Sequence, residues 1–271
     1  METGSPPMGR INDTSTIREP EEPVQGFIGR IDREALAWAL DGAALDPTVT
    51  SVELADYLDR CALAGIRAVC VLPRHLAEAR ARVDDRGFAL NLCGVVDFPL
   101  GANPPAQKEA EAGRLIDGGA DELDAVMSLG LLRSGRYREL LDELRRLKAV
   151  AGPRVLKIII ETPLLTNDLK ARAAEFCLEA GADCVKTSTG FHGPTKTADV
   201  RLVREVVGSE LDIKAAGGIR TLDDAARFFE AGANRLGASR APDILAEFDR
   251  NRDGNRMGST FNWTDPCRPD R

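Results

Sequence analysis

The hydrophobic pattern of this chain repeats one phrase: a helical stretch, a stop made of small residues, and a short apolar run. The stops lie at residues 63–65, 118–121, 180–183 and 231–234, and the apolar runs at 67–73, 122–127, 184–188 and 235–239. Each stop contains a glycine, which can take the left-handed conformation that ends a helix. Each apolar run has the composition of a strand buried on both faces. The repeat therefore predicts alternating helices and parallel strands.

Further strands between these phrases bring the predicted total to eight. They are residues 37–41, 88–98, 154–162 and 211–217. The intervening helices show a 3.6-residue period, most clearly from Ala106 to Ile116 and from Tyr137 to Val150. Eight such units close into a barrel, so the predicted fold is α/β, a single-domain (β/α)8 TIM barrel. An open doubly wound sheet is the alternative, but no G-x-G-x-x-G motif follows the first strand.

Length and composition fit one barrel with polar ends. The chain has 271 residues, of which 43% are hydrophobic and 29% charged, and a barrel of this type needs about 250. We expect the barrel at residues 26–250. Residues 1–25 and 251–271 are polar and lack helical periodicity, so they are predicted to be a disordered arm and a disordered tail.

Charge and cysteine usage narrow the classes of partner. The net charge is −7 and no Lys/Arg-rich stripe is present, which argues against nucleic acid as a partner. No apolar run is long enough for a membrane span, and the N-terminal residues lack the apolar core of a signal peptide. The six cysteines form no CxxC pair and have no histidines at zinc spacing. These features predict a cytoplasmic protein with reduced thiols, no membrane contact and no metal.

Polar residues at the strand ends mark the candidate site, because catalytic residues of this fold lie at the carboxyl ends of the strands. They include three lysines within apolar runs, Lys157, Lys186 and Lys214, and the carboxylates Asp124 and Glu161. Lysine is rarely buried, so three of them favour a functional site over structural ion pairs, which are the alternative. The other strand-end residues before the glycine-rich turns are Asp41, Cys70, Asp97, Thr187, Ser188, Thr189 and Gly190.

The lysines point to chemistry through a Schiff base. An isolated lysine has a pKa of about 10.4, so almost none of it is free amine at neutral pH. Burial and a second nearby ammonium lower that pKa and release the amine that attacks a carbonyl. Two lysines on neighbouring inward strands, with a carboxylate to transfer protons, therefore predict aldol chemistry without a metal or other cofactor. His75 and His192 form no ligand set, and His75 is expected on the surface at a helix start.

The last two strands end in glycine-rich turns. Gly217 and Gly218 follow the seventh strand, and Gly237 and Ser239 close the eighth. The backbone at such glycines can approach an anion, and the following helices offer their N-termini to it. A tight turn is the alternative for a glycine pair alone. The turns after strands seven and eight form the usual phosphate site of a barrel, so we predict a phosphorylated substrate.

Five segments resemble motifs of the deoxyribose-phosphate aldolase family. They are FPLGAN (98–103), GADELD (119–124), LKIIIET (156–162), VKTSTGF (185–191) and IKAAGGIR (213–220), in order within residues 35–245. The resemblance implies a class I aldolase that cleaves 2-deoxy-D-ribose 5-phosphate to acetaldehyde and D-glyceraldehyde 3-phosphate, or runs the reverse reaction. It also suggests a homodimer.

The resemblance implies roles for individual residues. Lys186 would form the Schiff base and Lys214 would lower its pKa, while Asp124, with Lys157, would transfer the proton through an ordered water. Implied substrate contacts are Asp41, Cys70, Thr189, Gly190, Gly217, Gly218, Gly237 and Ser239, with the phosphate at the glycines and Ser239. For Cys70, a place in the core is equally compatible with the sequence.

The chain also departs from the family pattern. The departures are Gly42 and Ala43 for His-Thr after Asp41, Asp46 for Lys, Leu72 for Asn, Arg240 for Ser, and a tail with Phe261 and Trp263 but no tyrosine. They concern recognition of hydroxyls and phosphate and leave the imine chemistry intact. Two alternatives therefore stay open: a divergent aldolase for another aldehyde pair, and a non-catalytic barrel that binds a sugar phosphate.

Overall fold

The computed structural model describes residues 26–27 and 29–254. Within them, parallel strands form a closed barrel in the order β1 to β8, and β8 pairs with β1. The strands are β1 (Leu40–Ala44), β2 (Ala68–Val71), β3 (Asn91–Val96), β4 (Glu122–Val126), β5 (Val155–Ile159), β6 (Cys184–Lys186), β7 (Asp212–Ala216) and β8 (Arg235–Ala238). The predicted (β/α)8 barrel is confirmed.

Helices surround the barrel between successive strands. They are α1 (Arg33–Trp38), α2 (Ser51–Ala64), α3 (Leu76–Arg86), α4 (Pro105–Asp117), α5 (Leu129–Arg133), α6 (Tyr137–Ala151), α7 (Asn167–Glu179), α8 (Thr197–Val207), α9 (Leu222–Glu230) and α10 (Ala241–Gly254). The helices predicted at 106–116 and 137–150 match α4 and α6 to within one residue at each end. In the described part of the chain, no helix is long and apolar enough to cross a membrane.

Helix boundaries follow from local capping. At the start of α2, the hydroxyl of Thr50 accepts from the backbone N–H of Glu53, whose carboxylate accepts from the N–H of Thr50. Thr221 and Asp224 form the same reciprocal pair at the start of α9. Helix α2 ends at Gly65, with φ 77°, and each of the other three predicted stops also contains a glycine with positive φ. The predicted role of the glycine stops is confirmed.

Two predicted boundaries are wrong. Residues 37 and 38 belong to α1 and not to the first strand, because Asp32 caps this helix by accepting from the N–H of Ala35 at 2.6 Å. At the other end, α10 continues to Gly254, past the predicted barrel limit at residue 250. Residues 1–25 and the rest of the predicted tail lie outside the described residues.

The prediction that His75 lies on the surface is also wrong. His75 ends a 3-10 turn, Pro73–His75, directly before α3, so the predicted helix start is confirmed. The residue is only 3% exposed, and its Nδ1 lies 3.7 Å from the carboxylate of Glu78 on α3. The imidazole is therefore buried beside the first turn of that helix.

Strand alternation divides the barrel into an apolar outer shell and a polar interior. Leu123, Ile158 and Val185 belong to the hydrophobic core, while their sequence neighbours Asp124, Lys157 and Lys186 are buried charged residues. Successive strand residues point to opposite faces. The apolar residues therefore pack against the helices, and the charged residues face the barrel axis.

Candidate active site

Four charged side chains meet inside the barrel. The Nζ atom of Lys157 lies 2.9 Å from Oδ1 of Asp124, and those of Lys186 and Lys214 lie 2.8 and 2.9 Å from Oδ2. The strand register explains this meeting, because Asp124 is paired with Lys157, and Lys186 with Lys214, on neighbouring strands. The structure thus brings the four residues predicted for catalysis into direct contact.

A second layer of charges lies nearer the amino ends of the strands. Nη2 of Arg235 is 2.6 Å from Asp41 and 2.8 Å from Glu122. These carboxylates reach the first layer, since Asp41 is 2.6 Å from Nζ of Lys214 and Glu122 is 2.5 Å from Nζ of Lys157. Sequence reasoning missed Glu122 and Arg235. Both stand two positions before an inward residue of their own strand, and that spacing could have identified them.

Mutual charge pairing outweighs burial in this cluster. Burial alone would raise the pKa of Asp124, but the ammoniums of Lys157, Lys186 and Lys214 hold that pKa well below its usual range. Burial would lower the pKa of Lys214, yet Asp124 and Asp41 hold it well above its ordinary value. The pKa of Lys157 is likewise raised, against burial, by Asp124 and by the groups around it. At neutral pH, Asp124 is therefore a carboxylate, and Lys157 and Lys214 are ammonium ions.

Two thiols adjoin the same carboxylate. Cys70 and Cys93 are paired in register on β2 and β3. Sγ of Cys93 lies 3.0 Å from Oδ1 of Asp124, and Sγ of Cys70 lies 3.6 Å from Oδ2 and 3.2 Å from Nζ of Lys214. A hydrogen bond from Cys93 lowers the pKa of the Cys70 thiol, whereas burial raises the pKa of Cys93 well above its ordinary value. Sequence reasoning did not select Cys93, which resembles core filler in its apolar run.

An open cleft of about 820 Å³ lies above the charges, at the carboxyl ends of the strands. The predicted site residues that line it are Cys70, Lys186, Thr189, Gly190, Lys214, Gly217, Gly218, Gly237 and Ser239. Asp124, Lys157 and Asp41 are fully buried beneath its floor. Asp41, which was predicted to contact the substrate, does not line the cleft, and Lys214 and Arg235 occupy its two oxygens.

The loop after β6 is held by Glu161, which lies two residues after β5 and has φ 52°. Its carboxylate accepts from the hydroxyl of Ser188 at 2.9 Å and from the backbone N–H of Thr189 at 3.2 Å. Nδ1 of His192 lies 3.5 Å from the same carboxylate. Glu161 thus positions the loop that carries Gly190 into the cleft, and its contacts in the described part of the chain do not include the three lysines.

Glycines form much of the cleft wall, and each has a steric reason. Gly217 has φ 100°, and a Cβ there would lie 3.1 Å from Oγ of Ser188. Gly218 has φ 86°, and its Cβ would lie 2.9 Å from Cβ of Pro194. Gly237 differs, because a Cβ would lie 3.1 Å from Cε of Lys214, so this glycine makes room for the lysine stem. Arg220, which sequence reasoning left without a role, lines the same wall.

The model of the DeoC/LacD family aldolases matches residues 31–247. The chain belongs to this family. It is 43% identical over 231 residues to a deoxyribose-phosphate aldolase from Rhodospirillum rubrum, which covers 78% of this chain and 96% of that protein. This membership confirms the predicted class of enzyme, an aldolase.

Solved structures of similar proteins agree with this membership. One, titled "QR15, an Aldolase", has a TM-score of 0.77 at 36% identity and covers 82% of this chain and 98% of its own. A deoxyribose phosphate aldolase from Aeropyrum pernix, described as tetrameric, has a TM-score of 0.74 at 30% identity and covers 83% and 96%. The barrel is thus shared with aldolases over most of the described chain.

Tyr57 accounts for one departure from the family pattern. Its hydroxyl accepts from the N–H of Ala43 at 3.1 Å and donates to the carbonyl of Ala238 at 3.2 Å. Pairing of β1 with β8 ends at Gly42 and Ala238, so Tyr57 bridges these strands where their ladder stops. A Cβ at Gly42 would lie 2.9 Å from the Tyr57 hydroxyl, which leaves no space for a histidine. Tyr57 was missed because it belongs to a helix, α2.

The remaining departures do not all face the cleft. Asp46 lines it and is held by Thr48, whose hydroxyl donates to the carboxylate at 2.6 Å. Arg240 instead donates to Asp243 at 3.1 Å on α10, and neither Arg240 nor Leu72 is among the described residues that line the cleft. The expected effect of these two positions on recognition is therefore not supported. The tail without tyrosine lies outside the described residues.

Two aromatic rings adjoin the lysine cluster on the open side. Nζ of Lys186 lies 5.8 Å from the ring centroid of Phe98. The ring of Phe98 meets that of Phe191 edge to face at 5.4 Å, and Phe191 lines the cleft with 52% of its surface exposed. Sequence reasoning quoted both residues within motifs and gave neither a role.

Proposed function

We propose that the protein is a class I aldolase that interconverts 2-deoxy-D-ribose 5-phosphate with acetaldehyde and D-glyceraldehyde 3-phosphate. The observation that carries this proposal is Lys186 on the cleft floor, 2.8 Å from the buried carboxylate of Asp124. An amine that reaches the substrate and has a proton-transfer partner fits imine formation. The proposed substrate is the one named for the deoxyribose-phosphate aldolases that this chain resembles.

Among the three lysines, Lys186 is best placed to act as the nucleophile. Lys157 and Lys214 each contact two carboxylates, which keep them protonated. In the described part of the chain, Lys186 pairs with Asp124 alone and shares that carboxylate with the other two. Lys186 also lines the cleft, whereas Lys157 is fully buried beneath it. Lys186 is therefore the cleft lysine with the fewest carboxylate partners.

In the cleavage direction, the Lys186 amine adds to the C1 aldehyde, and loss of water gives a protonated imine. Removal of the C3 hydroxyl proton lets the C2–C3 bond break, and its electrons move into the imine to form an enamine. Glyceraldehyde 3-phosphate leaves, the enamine takes a proton on carbon, and water releases acetaldehyde and the amine. We assign these proton transfers to Asp124 with Lys157, through an ordered water. The imine is the electron sink, so no metal is needed.

The substrate phosphate would bind at the glycine wall of the cleft. Backbone at Gly190, Gly217 and Gly218 can approach an anion closely, and the Ser239 hydroxyl can donate to it. Arg220 adds a positive charge on the same wall. Thr189 and Cys70 would contact the sugar nearer the floor. We reassign Asp41 as the residue that positions Lys214, and Gly237 as the residue that makes room for it.

Borohydride trapping tests this function directly. With acetaldehyde and borohydride, we expect the reduced adduct on the tryptic peptide that contains Lys186, and no adduct in Lys186→Met. Lys148→Met is the matched control, because Lys148 pairs with Asp183 on the outer surface and should leave labelling unchanged. Labelling mainly at Lys157 or Lys214 would contradict the assignment. No adduct in any protein would favour a non-catalytic sugar-phosphate barrel.

Turnover assays then define the substrate and the metal requirement. Deoxyribose 5-phosphate should be cleaved faster than other aldehyde adducts in a panel, and a better substrate among them would favour a divergent aldolase. Prolonged EDTA treatment should leave the rate unchanged, since the imine replaces a Lewis acid. A rate lost to EDTA and restored by zinc would overturn the class I proposal.

We also propose a cytoplasmic homo-oligomer. Buried free thiols at Cys61, Cys70, Cys93, Cys177 and Cys184 suit a reducing compartment. Val52 and Leu63 on α2 are 72% and 79% exposed, and the Aeropyrum relative is described as tetrameric. Sedimentation should give a mass of at least a dimer, and a monomer at micromolar concentration would contradict this part of the proposal.

A further inference from the structure

The floor of the cleft contains two thiols that imine chemistry does not require. Sγ of Cys70, Sγ of Cys93 and a carboxylate oxygen of Asp124 all lie within 4.8 Å of one another, and all three residues are buried. Proton transfer at an imine uses the carboxylate and needs neither thiol. Two thiols and one carboxylate are, however, ligands that bind borderline-soft divalent cations.

We propose that Cys70, Cys93 and Asp124 form an inhibitory binding site for a divalent cation of the zinc class, such as Zn²⁺ or Cd²⁺. The binding itself is independent of the aldolase reaction, and only the predicted inhibition rests on the proposed function. The site would be occupied by exchange with protons and would stop turnover by engaging the carboxylate that Lys186 contacts.

The spacing of the donors already approaches that of a tetrahedral site. Bonds of about 2.3 Å to sulfur and about 2.0 Å to oxygen place sulfur and oxygen about 3.5 Å apart in a tetrahedron. Sγ of Cys70 lies 3.6 Å from Oδ2 of Asp124, and Sγ of Cys93 lies 3.0 Å from Oδ1. The three donors thus lie near the separations that one ion requires, and the in-register strands β2 and β3 hold both sulfurs in place.

Charge balance permits a cation among the lysines. A thiol must lose its proton to bind a metal. One divalent ion that displaces two thiol protons leaves the net charge of the buried cluster unchanged. The ammoniums also become useful, since Nζ of Lys214 lies 3.2 Å from Sγ of Cys70 and Nζ of Lys157 lies 3.5 Å from Sγ of Cys93. Both can donate hydrogen bonds to the thiolates, as outer partners of metal ligands do.

The cleft provides a route to the site and a fourth ligand. Cys70 and Lys186 line the cleft, so an ion can enter from solvent through the same opening as the substrate. Three protein ligands leave one position of a tetrahedral ion open to water or to the Lys186 amine. In either case Asp124 can no longer exchange protons with Lys186, and imine formation should stop.

Cadmium titration of the full chain tests the site, in a Cys267→Ser background because Cys267 lies outside the described residues. We expect a cadmium–thiolate charge-transfer band that saturates at one equivalent, with release of two protons per ion. Cys93→Ala should weaken cadmium binding by at least about tenfold. Cys177→Ala is the matched control, because Cys177 is a buried core thiol on α7 and should leave binding unchanged.

The same proteins give the inhibition readout. Zinc should inhibit turnover reversibly, EDTA should restore the rate, and Cys93→Ala should retain activity while resisting zinc. The site proposal fails if the Cys267→Ser protein gives no thiolate band, if fewer than two protons leave, or if adding Cys93→Ala does not weaken binding. Tight binding in a protein without aldolase activity would support the site and contradict only the proposed function. The proton count needs no substitution within the barrel.

Discussion

The floor of the cleft and its wall are built in opposite ways. The floor is a set of fully buried charges in which Asp124 contacts three lysines within 3 Å. The wall is open and largely made of glycine backbone, with Arg220 and Ser239 on its exposed side. A buried charge is tolerated only with partners, so every floor residue depends on the others. Wall residues are separately replaceable.

This difference separates the reaction from the substrate. Replacing one floor residue leaves a buried charge without its partner, which affects stability and chemistry together. Changing one wall residue alters a contact with one substrate group, for which water can substitute. The departures from the family pattern occur outside the floor, at positions such as Gly42, Ala43 and Asp46. We therefore expect large, coupled effects at the floor and small, selective effects at the wall.

The largest effect is expected for Asp124→Asn, which keeps the shape and removes the central charge. Three ammoniums then lose their shared partner, so the free energy of unfolding should fall by about 3–5 kcal/mol. The rate should fall on the order of a thousandfold, as for loss of a general acid–base group. Denaturant unfolding and steady-state kinetics measure both. Asp243→Asn, at an exposed pair with Arg60, should cost under about 1 kcal/mol; equal losses would contradict the comparison.

Asp124 should also determine how the stability of the protein falls at low pH. The pKa of Asp124 is lower in the folded protein than in the unfolded chain, because the three ammoniums favour its charged form. Its contribution to stability is then complete above about pH 4 and is lost as the pH falls through the folded pKa. Melting temperatures measured downward from pH 5 should drop steeply in wild type. The drop should be shallower in Asp124→Asn, and parallel curves would exclude this carboxylate as the cause.

Lys214→Met should have the next largest effect, on the rate. Lys214 shares Oδ2 of Asp124 with Lys186 and also contacts Asp41, so its loss takes an ammonium from two buried carboxylates. Because Asp124 is assigned the proton transfers, we expect the rate to fall on the order of a hundredfold. Steady-state kinetics measure the rate, and denaturant unfolding measures the stability of the variant. A rate close to that of wild type would leave Lys214 with a purely structural role.

The sequence predicted the lysines of the floor better than the partners of those lysines, for a physical reason. Charged residues inside apolar runs are rare, so Lys157, Lys186 and Lys214 were recognisable without a structure. Glu122 and Arg235 were missed because their pairing depends on strand register, which joins positions far apart in the chain. Site contacts from helix residues were also missed, because only residues in or just after the predicted strands were considered.

The residues around β1 show what a local sequence pattern does not reveal. Apolar residues 37 and 38 fit a strand by composition, but the cap at Asp32 makes them helical. Tyr57 lies outside every motif, yet its hydroxyl bridges β1 and β8 and fills the space beside Gly42. A large residue on a helix, here Tyr57, can fill the space that a small strand residue, here Gly42, leaves open. The two positions are far apart in the sequence, so no local pattern reveals this packing.

At the wall, Gly218→Ala should weaken binding of the phosphate and spare the chemistry. Gly218 has φ 86° and its added Cβ would meet Pro194 at 2.9 Å, so the backbone must move away from the anion. We expect KM for deoxyribose 5-phosphate to rise about tenfold, corresponding to about 1–2 kcal/mol of strain, with little change for unphosphorylated deoxyribose. Gly208→Ala is the control, because Gly208 also has a positive φ but no atom near its Cβ. Equal KM changes for both substrates would place the effect elsewhere.

The smallest effect is expected for Ala43→Thr, which restores a hydroxyl at the seam of β1 and β8. Ala43 lines the cleft and its N–H is already occupied by Tyr57. A site with a polar group for a substrate hydroxyl rejects analogues that lack it, because its own group is left unpaired. Ala43 has no polar side-chain group that could be left unpaired. Wild-type protein should therefore discriminate only weakly against analogues that lack the hydroxyl.

A neutral hydrogen bond contributes about 0.5–1.5 kcal/mol. Ala43→Thr should therefore raise kcat/KM for deoxyribose 5-phosphate several-fold relative to a substrate that lacks the corresponding hydroxyl. Tyr57→Phe is the companion variant, since it frees the N–H of Ala43 without adding a hydroxyl to the cleft, and it should leave that ratio unchanged. If Ala43→Thr leaves the ratio unchanged or lowers it, water in the open cleft already serves this hydroxyl. Position 43 would then have no part in specificity, and recognition at the wall would rest on the phosphate alone.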